Sequence, residues 1–131
     1  MNSLQQLCAN LADVRVLYVE DEDEVRKMTL ALFSNIFLHV DNAKDGEEGL
    51  KLFKEHEYDL VISDIKMPKM NGRDMLRQIN ELNKDVVLMV ISASDSDEDI
   101  ASTVCDVYLH KPVKLTDFID QLEDLQGRLL K

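Results

Sequence analysis

Residues 14–25 read VRVLYVEDEDEV. Val14 to Val19 form an apolar run broken only by Arg15, and this run meets the acids Glu20, Asp21, Glu22, Asp23 and Glu24 without a spacer. A short apolar run ending in a polar break suits a strand covered on both faces. The acids need a separate account. Asp and Glu favour the first turn of a helix, where they face unpaired N–H groups and the positive end of the helix dipole. That explains Glu22, Asp23 and Glu24. It explains Glu20 less well, because Glu20 ends the strand itself.

Outward from this stretch the pattern repeats. YDLVISD (58–64) and DVVLMVIS (85–92) are further apolar strands, FLHVDNA (37–43) is a weaker one, and CDVYLH (105–110) is the last. Helical spacing fills the gaps. Val25, Met28, Leu32, Phe33 and Ile36 mark a helix after strand 1. AKDGEEGLKLFKEH (43–56) is a second, despite two glycines, and NGRDMLRQINELN (71–83) is a third, with Met75, Leu76 and Ile79 turned inward. SDSDEDIASTV (94–104) reads as a short helix with Ser and Asp at its start, which suits a cap. Leu115, Phe118, Ile119, Leu122, Leu125 and Leu129 mark the last helix. Ahead of strand 1, Leu4, Leu7, Cys8 and Leu11 predict a short amphipathic helix. Strand and helix alternate five times, and strands 1, 3 and 4 are apolar throughout. The fold class is therefore α/β, a doubly wound parallel sheet flanked by helices, with residues 1–13 an N-terminal extension and 14–131 one domain.

The 131 residues suffice for one sizeable core. With 45% apolar and 31% charged residues, the composition is that of a globular protein rather than a disordered one. A net charge of -11 repels nucleic acid and anionic lipid, so neither is expected as a partner of this chain. No Lys or Arg precedes Arg15, which argues against a secretory signal. The longest apolar run, Val86 to Ile91, is too short to span a membrane. Cys8 and Cys105 have no metal-type spacing and read as reduced thiols in a cytoplasmic protein.

In an open parallel sheet, ligands bind beyond the carboxyl ends of the strands. Strand 1 delivers Glu20 and Asp21 there, strand 3 Asp64, strand 4 Ser92 and strand 5 Lys111, followed by Pro112. Three crowded carboxylates repel one another, and one of them raises its pKa unless a cation intervenes. Mg2+ takes oxygen ligands and usually only one or two carboxylates. A metal, a lysine and a hydroxyl beside a carboxylate are what a transferred phosphoryl group needs. Each element alone has a plainer reading: Asp64 as a cap, Ser92 as a strand end, Lys111-Pro112 as a turn. The combination at ordered strand ends points to a carboxylate that accepts phosphate.

The segments VLYVEDE, DLVISDIKMPKMNG, VISAS and YLHKPV resemble those of response-regulator receiver domains of two-component signalling, typically bacterial, over about Val14 to Leu125. The run from Asp64 through Met67, Pro68, Met70 and Gly72 is the most specific. The resemblance implies a flavodoxin-like sheet in strand order 2-1-3-4-5. It implies that Asp64 is the phosphoacceptor for a histidine kinase's phosphohistidine. Asp21 would bind Mg2+ directly and Glu20 through water, with Asp64 and the backbone carbonyl of Lys66 completing the protein ligands and Mn2+ an acceptable substitute. Lys111 would pair with phosphoryl oxygens. Ser92 would turn toward the phosphate, and Tyr108 would swing into the space Ser92 leaves, changing the face formed by the following helix, strand 5 and the last helix. Lys66 and Ser94 would tune hydrolysis of the phosphate. The implied partners are a sensor histidine kinase or phosphotransfer protein and an output domain or partner, with a homodimer open. The protein would be a regulator, not an enzyme.

The sequence departs from the family between Ser92 and Lys111, which is about three residues short, with Cys105-Asp106 in place of the usual Gly/Ala turn. Two rival readings stand beside the resemblance. DEDEV (21–25) fits the DxDx[TV] pattern of haloacid-dehalogenase-type phosphohydrolases, with Asp21 as nucleophile, but Asp95, Asp97 and Asp99 precede Lys111 where that class needs a late acidic pair. The other rival is a receiver-like scaffold that binds partners without being phosphorylated.

Overall fold

The computed structural model describes residues 3–93 and 103–130. Helix α1 (Ser3–Leu11) precedes β1 (Arg15–Val19), α2 (Asp23–Phe33), β2 (His39–Ala43), α3 (Gly46–Glu55), β3 (Leu60–Ser63), α4 (Gly72–Leu82), β4 (Val87–Ser92), β5 (Val107–His110) and α5 (Leu115–Leu129). Ser94 and most of the short helix expected over 94–104 lie outside the described residues. Thr103 and Val104, its last two positions, are not helical.

The five strands are all parallel, in the order β2-β1-β3-β4-β5. This is the doubly wound α/β fold that the alternating apolar runs imply. Because side chains alternate across a strand, each central strand feeds two cores. Val16, Tyr18, Ile62, Val87 and Met89 pack with Phe33 of α2 and with Phe118, Leu122, Leu125 and Leu129 of α5. Leu17, Val19, Val61, Leu88 and Val90 pack with Leu50 and Phe53 of α3 and with Met75, Leu76 and Ile79 of α4. The two middle helices start where side-chain caps satisfy their free N–H groups. Asp45 accepts from Glu48 N at 2.8 Å, and Asn71 accepts from Asp74 N at 2.9 Å.

Two details depart from the helical periodicity. Met28, placed on the inward stripe of α2 by its spacing, is 75% exposed. Ile36 is buried, but α2 ends at Phe33, and Ile36 sits in the turn beyond, its N–H on Phe33 O at 2.9 Å. The N-terminal helix is no loose appendage. Leu7 and Leu11 are buried in the same cluster as Phe37, Leu125 and Leu129, and Asn10 donates to Gln126 of α5 at 3.0 Å. Among the described residues no helix is long and apolar enough to cross a membrane.

Candidate functional site

The carboxyl ends of β1, β3, β4 and β5 open onto a cleft of about 340 Å³ lined by Asp21, Glu22, Asp64, Lys66, Ser92 and Lys111, with Val25 and Ala93 at its apolar wall. The parallel register makes this convergence unavoidable. Val19 of β1 pairs with Ser63 of β3, so Glu20 and Asp64 leave adjacent strands at the same height. Ser92 pairs with His110, which places Lys111 just beyond.

Glu20, Asp21 and Asp64 each offer a carboxylate oxygen, all within 4.8 Å of one another. Glu20 is 1% exposed. Lys111 Nζ lies between two of them, 2.5 Å from Glu20 Oε1 and 2.6 Å from Asp64 Oδ2. The other oxygen of Asp64 accepts from Ile65 N at 2.6 Å. Burial pushes the Glu20 carboxyl above its ordinary value, the Lys111 hydrogen bond and charge pull it back, and Asp64 adds to the rise. For Lys111, burial acts against the charged form. The hydrogen bonds and charges of Asp64 and Glu20 outweigh it and hold the ammonium above its usual pKa. Behind the site Tyr18 is pushed up to about 12 by burial, so it stays a neutral phenol.

The loop from Asp64 to Gly72 is clamped at both ends. Gly72 N donates to Ile65 O at 2.6 Å, and a Cβ on Gly72 would lie 1.8 Å from Asp64 O. A Cβ on Gly46 would lie 2.2 Å from Met70 O, which accepts from Gly46 N at 3.2 Å. Lys69, at the tip, takes a φ of 66°, a region costly for a residue with a side chain. Met67 and Met70 anchor the loop on the α3–α4 core. Thus the sequence motif beginning at Asp64 is a set of contacts that hold one carboxylate in place. The Lys111–Pro112 bond is cis, and Lys111 N donates to Ser92 O at 2.9 Å.

The structure brings together Glu20, Asp21, Asp64, Lys66, Ser92 and Lys111. Tyr108 is on β5, half-buried against the α3–α4 core, with its ring 5.3 Å from that of His110. Of the other acids in the opening run, Asp23 and Glu24 occupy the first turn of α2, and Asp23 pairs with Arg26 on the surface at 2.5 Å. Asp23 is therefore placed away from the cleft, where the phosphohydrolase pattern would need it. Glu22 lines the cleft although its position at a helix start suggested only a capping role. Arg26 escapes a reading by strand ends: it reaches back along α2 to Glu20 O at 2.9 Å and fixes the turn that carries the acids. Its spacing six residues after Glu20 was the available signal.

A doubly wound sheet with an acidic cleft in which Lys111 bridges two carboxylates is the arrangement of receiver-type signalling modules. Residues 16–123 match the response regulator receiver domain, and the chain belongs to that family. It is similar to the regulatory protein VanRB of Enterococcus faecalis, 34% identical over 88% of this chain and 53% of that protein. It is also similar to the transcriptional regulatory protein YcbL of Bacillus subtilis, 39% identical over 76% of this chain and 45% of that protein. The chain thus spans about half the length of these relatives. Among solved structures, response regulator TrrA of Thermotoga maritima, in complex with Mg2+ and BeF, superposes with a TM-score of 0.74 at 30% identity, covering 86% of this chain and 98% of that one. An N-terminal domain of an uncharacterized Wolinella succinogenes protein superposes at 0.80, 33% identical over 87% and 94% of the two chains. Receiver domains of this family bind Mg2+ in an acidic pocket and interact with histidine kinases or phosphotransfer proteins.

Proposed function

We propose that this chain is a phosphoryl-accepting switch with Asp64 as its acceptor. The observation that supports this best is Lys111 Nζ, which bridges Glu20 and Asp64 at the mouth of a three-carboxylate cleft. An Asp64 carboxylate oxygen attacks the phosphorus of a donor phosphohistidine. The P–N bond breaks, and its electron pair leaves with the imidazole, which takes up a proton. Lys111 then moves its hydrogen bond from the carboxylate to a phosphoryl oxygen, and the Ser92 hydroxyl donates to another. Asp21 directly, Glu20 through water, Asp64 and the Lys66 carbonyl would hold Mg2+, with Mn2+ an acceptable substitute. The all-oxygen donor set suits such hard cations. When bound, the metal offsets charge on the phosphoryl oxygens. Water attack on the aspartyl phosphate resets the switch, so turnover is self-limited and the protein is a regulator.

The donor is a sensor histidine kinase or phosphotransfer protein in the cytoplasm, and two free cysteines suit that reducing compartment. Ser92 and Tyr108 carry the change to the β4–β5–α5 face, which biases one of two existing conformations toward a partner or output domain.

The test is Mg2+-dependent labelling with acetyl phosphate, with the modified residue located after borohydride trapping. Label on Asp64, lost in Asp64→Asn, is the expected result. Label on Asp21 with rapid turnover would favour the phosphohydrolase, and no label with Mg2+ bound normally would favour the partner-binding scaffold.

A further inference from the structure

We infer that His110 is a positioning residue for the switch: its ring holds Tyr108 in the resting position and so sets how much phosphoryl binding is needed to move it. This rests on the switching role proposed for Tyr108. The two side chains lie two residues apart on β5, hence on one face of that strand. Their ring centroids are 5.3 Å apart, with the planes at 73°, an edge-to-face pair. The pair sits over the carboxyl end of the sheet. Tyr108 is in register with Val90, whose side chain belongs to the α3–α4 core, and His110 is in register with Ser92. The contact therefore runs along β5, from Tyr108 to the height of Ser92 on the neighbouring strand.

His110 is exposed, so its ring has little burial to gain from the sheet. Tyr108 is only half-buried, and among the described residues β5 is an edge strand of the sheet. An edge-to-face contact is directional and is lost when one ring rotates away. A contact present in one of two states shifts their ratio by its own strength, and a ligand that selects the other state must overcome it. Deleting the His110 ring therefore raises the population that binds a phosphoryl group.

The probe is beryllofluoride with Mg2+, titrated calorimetrically into the whole chain. Wild-type protein gives the reference affinity; no binding at all would overturn the function proposed above, not this inference alone. His110→Ala and His110→Gln are expected to tighten binding about two- to tenfold, the range for loss of one aromatic pair. His110→Phe keeps a ring and is expected to match the wild type. In a Tyr108→Ala background, the gain from His110→Ala should disappear, because the ring it acts on is gone. Unchanged or weaker binding in His110→Ala overturns the latch. So does the same gain in the Tyr108→Ala background, which would mean that His110 acts on the cleft directly.

Discussion

Lys111→Met tests the electrostatics of the cleft most directly. The substitution keeps an apolar stem reaching as far as Cε and removes the ammonium that faces Glu20 at 2.5 Å and Asp64 at 2.6 Å. The side chains of Lys111, Asp64 and Glu20 are 21%, 12% and 1% exposed, so the pair is shielded from water on one side and open on the other. Removing one partner of a buried ion pair costs about 3–5 kcal/mol. The partial exposure argues for the lower end, about 3 kcal/mol. With a urea m-value of about 2 kcal/mol/M, that lowers the unfolding midpoint by about 1.5 M. Two remedies should recover the loss. Burial already holds the Glu20 carboxyl above its ordinary pKa, and losing Lys111 raises it further. A carboxyl raised in the folded state gives stability that is full below its unfolded pKa and declines as pH rises through the folded one. The variant should therefore regain ground on the wild type as pH falls from 7.5 toward 5. Mg2+ should stabilise the variant more than the wild type, because it replaces the missing cation. Urea unfolding followed by circular dichroism, with and without Mg2+ across that pH range, reads all three. A variant as stable as the wild type at neutral pH, or one whose deficit ignores both pH and Mg2+, refutes the electrostatic account.

The glycines give two opposed outcomes. Gly72→Ala forces a Cβ within 1.8 Å of a backbone oxygen, so the loop must shift: melting should fall by about 10 °C, for a cost of about 3 kcal/mol, and Asp64 labelling should fall with it. Gly127→Ala, in α5 with nothing within 4 Å of the new Cβ, should raise stability by about 0.5–1 kcal/mol and leave labelling unchanged. Leu11→Ala should cost about 2–5 kcal/mol by chemical denaturation, since Leu11 is 0% exposed in a core shared with α5; a loss under about 1 kcal/mol would mean that α1 is only loosely attached.

The parallel sheet was legible because its central strands need apolar residues on both faces, and a run such as Val86 to Ile91 admits little else. The cleft was legible for a related reason: in a parallel sheet the residue after each strand is delivered to one edge, so Glu20, Asp64 and Lys111 could be placed together without knowing any contact. Contacts that depend on helix rotation or on distant termini were not legible. The spacing of Met28 fits the inward stripe of α2, yet the helix turns it to solvent, because Phe33 and Leu30 already fill that side. The burial of Leu7 and Leu11 depends on α5, more than a hundred residues away, and local periodicity carries no information about that partner. The reach of Lys111 to two carboxylates at once also depends on β5 lying beside β4, which only the sheet order settles.

The acids that opened the sequence can now be divided by what they face. Asp23 and Glu24 serve the helix start. Glu20, Asp21 and Asp64 face each other, and their mutual repulsion costs stability that the contacts of Lys111 offset only in part. With all three ionised, the one ammonium of Lys111 leaves two negative charges uncompensated at the cleft. That excess matches the charge of one divalent cation. A phosphoryl group on Asp64 exchanges one carboxylate charge for about two on the phosphate, which repels Glu20 and Asp21 unless a divalent cation is present. On the proposed function, the same carboxylates would make phosphorylation conditional on the metal. Neutralising Asp21 should strengthen the fold, because it relieves the repulsion and leaves Lys111 both of its carboxylates.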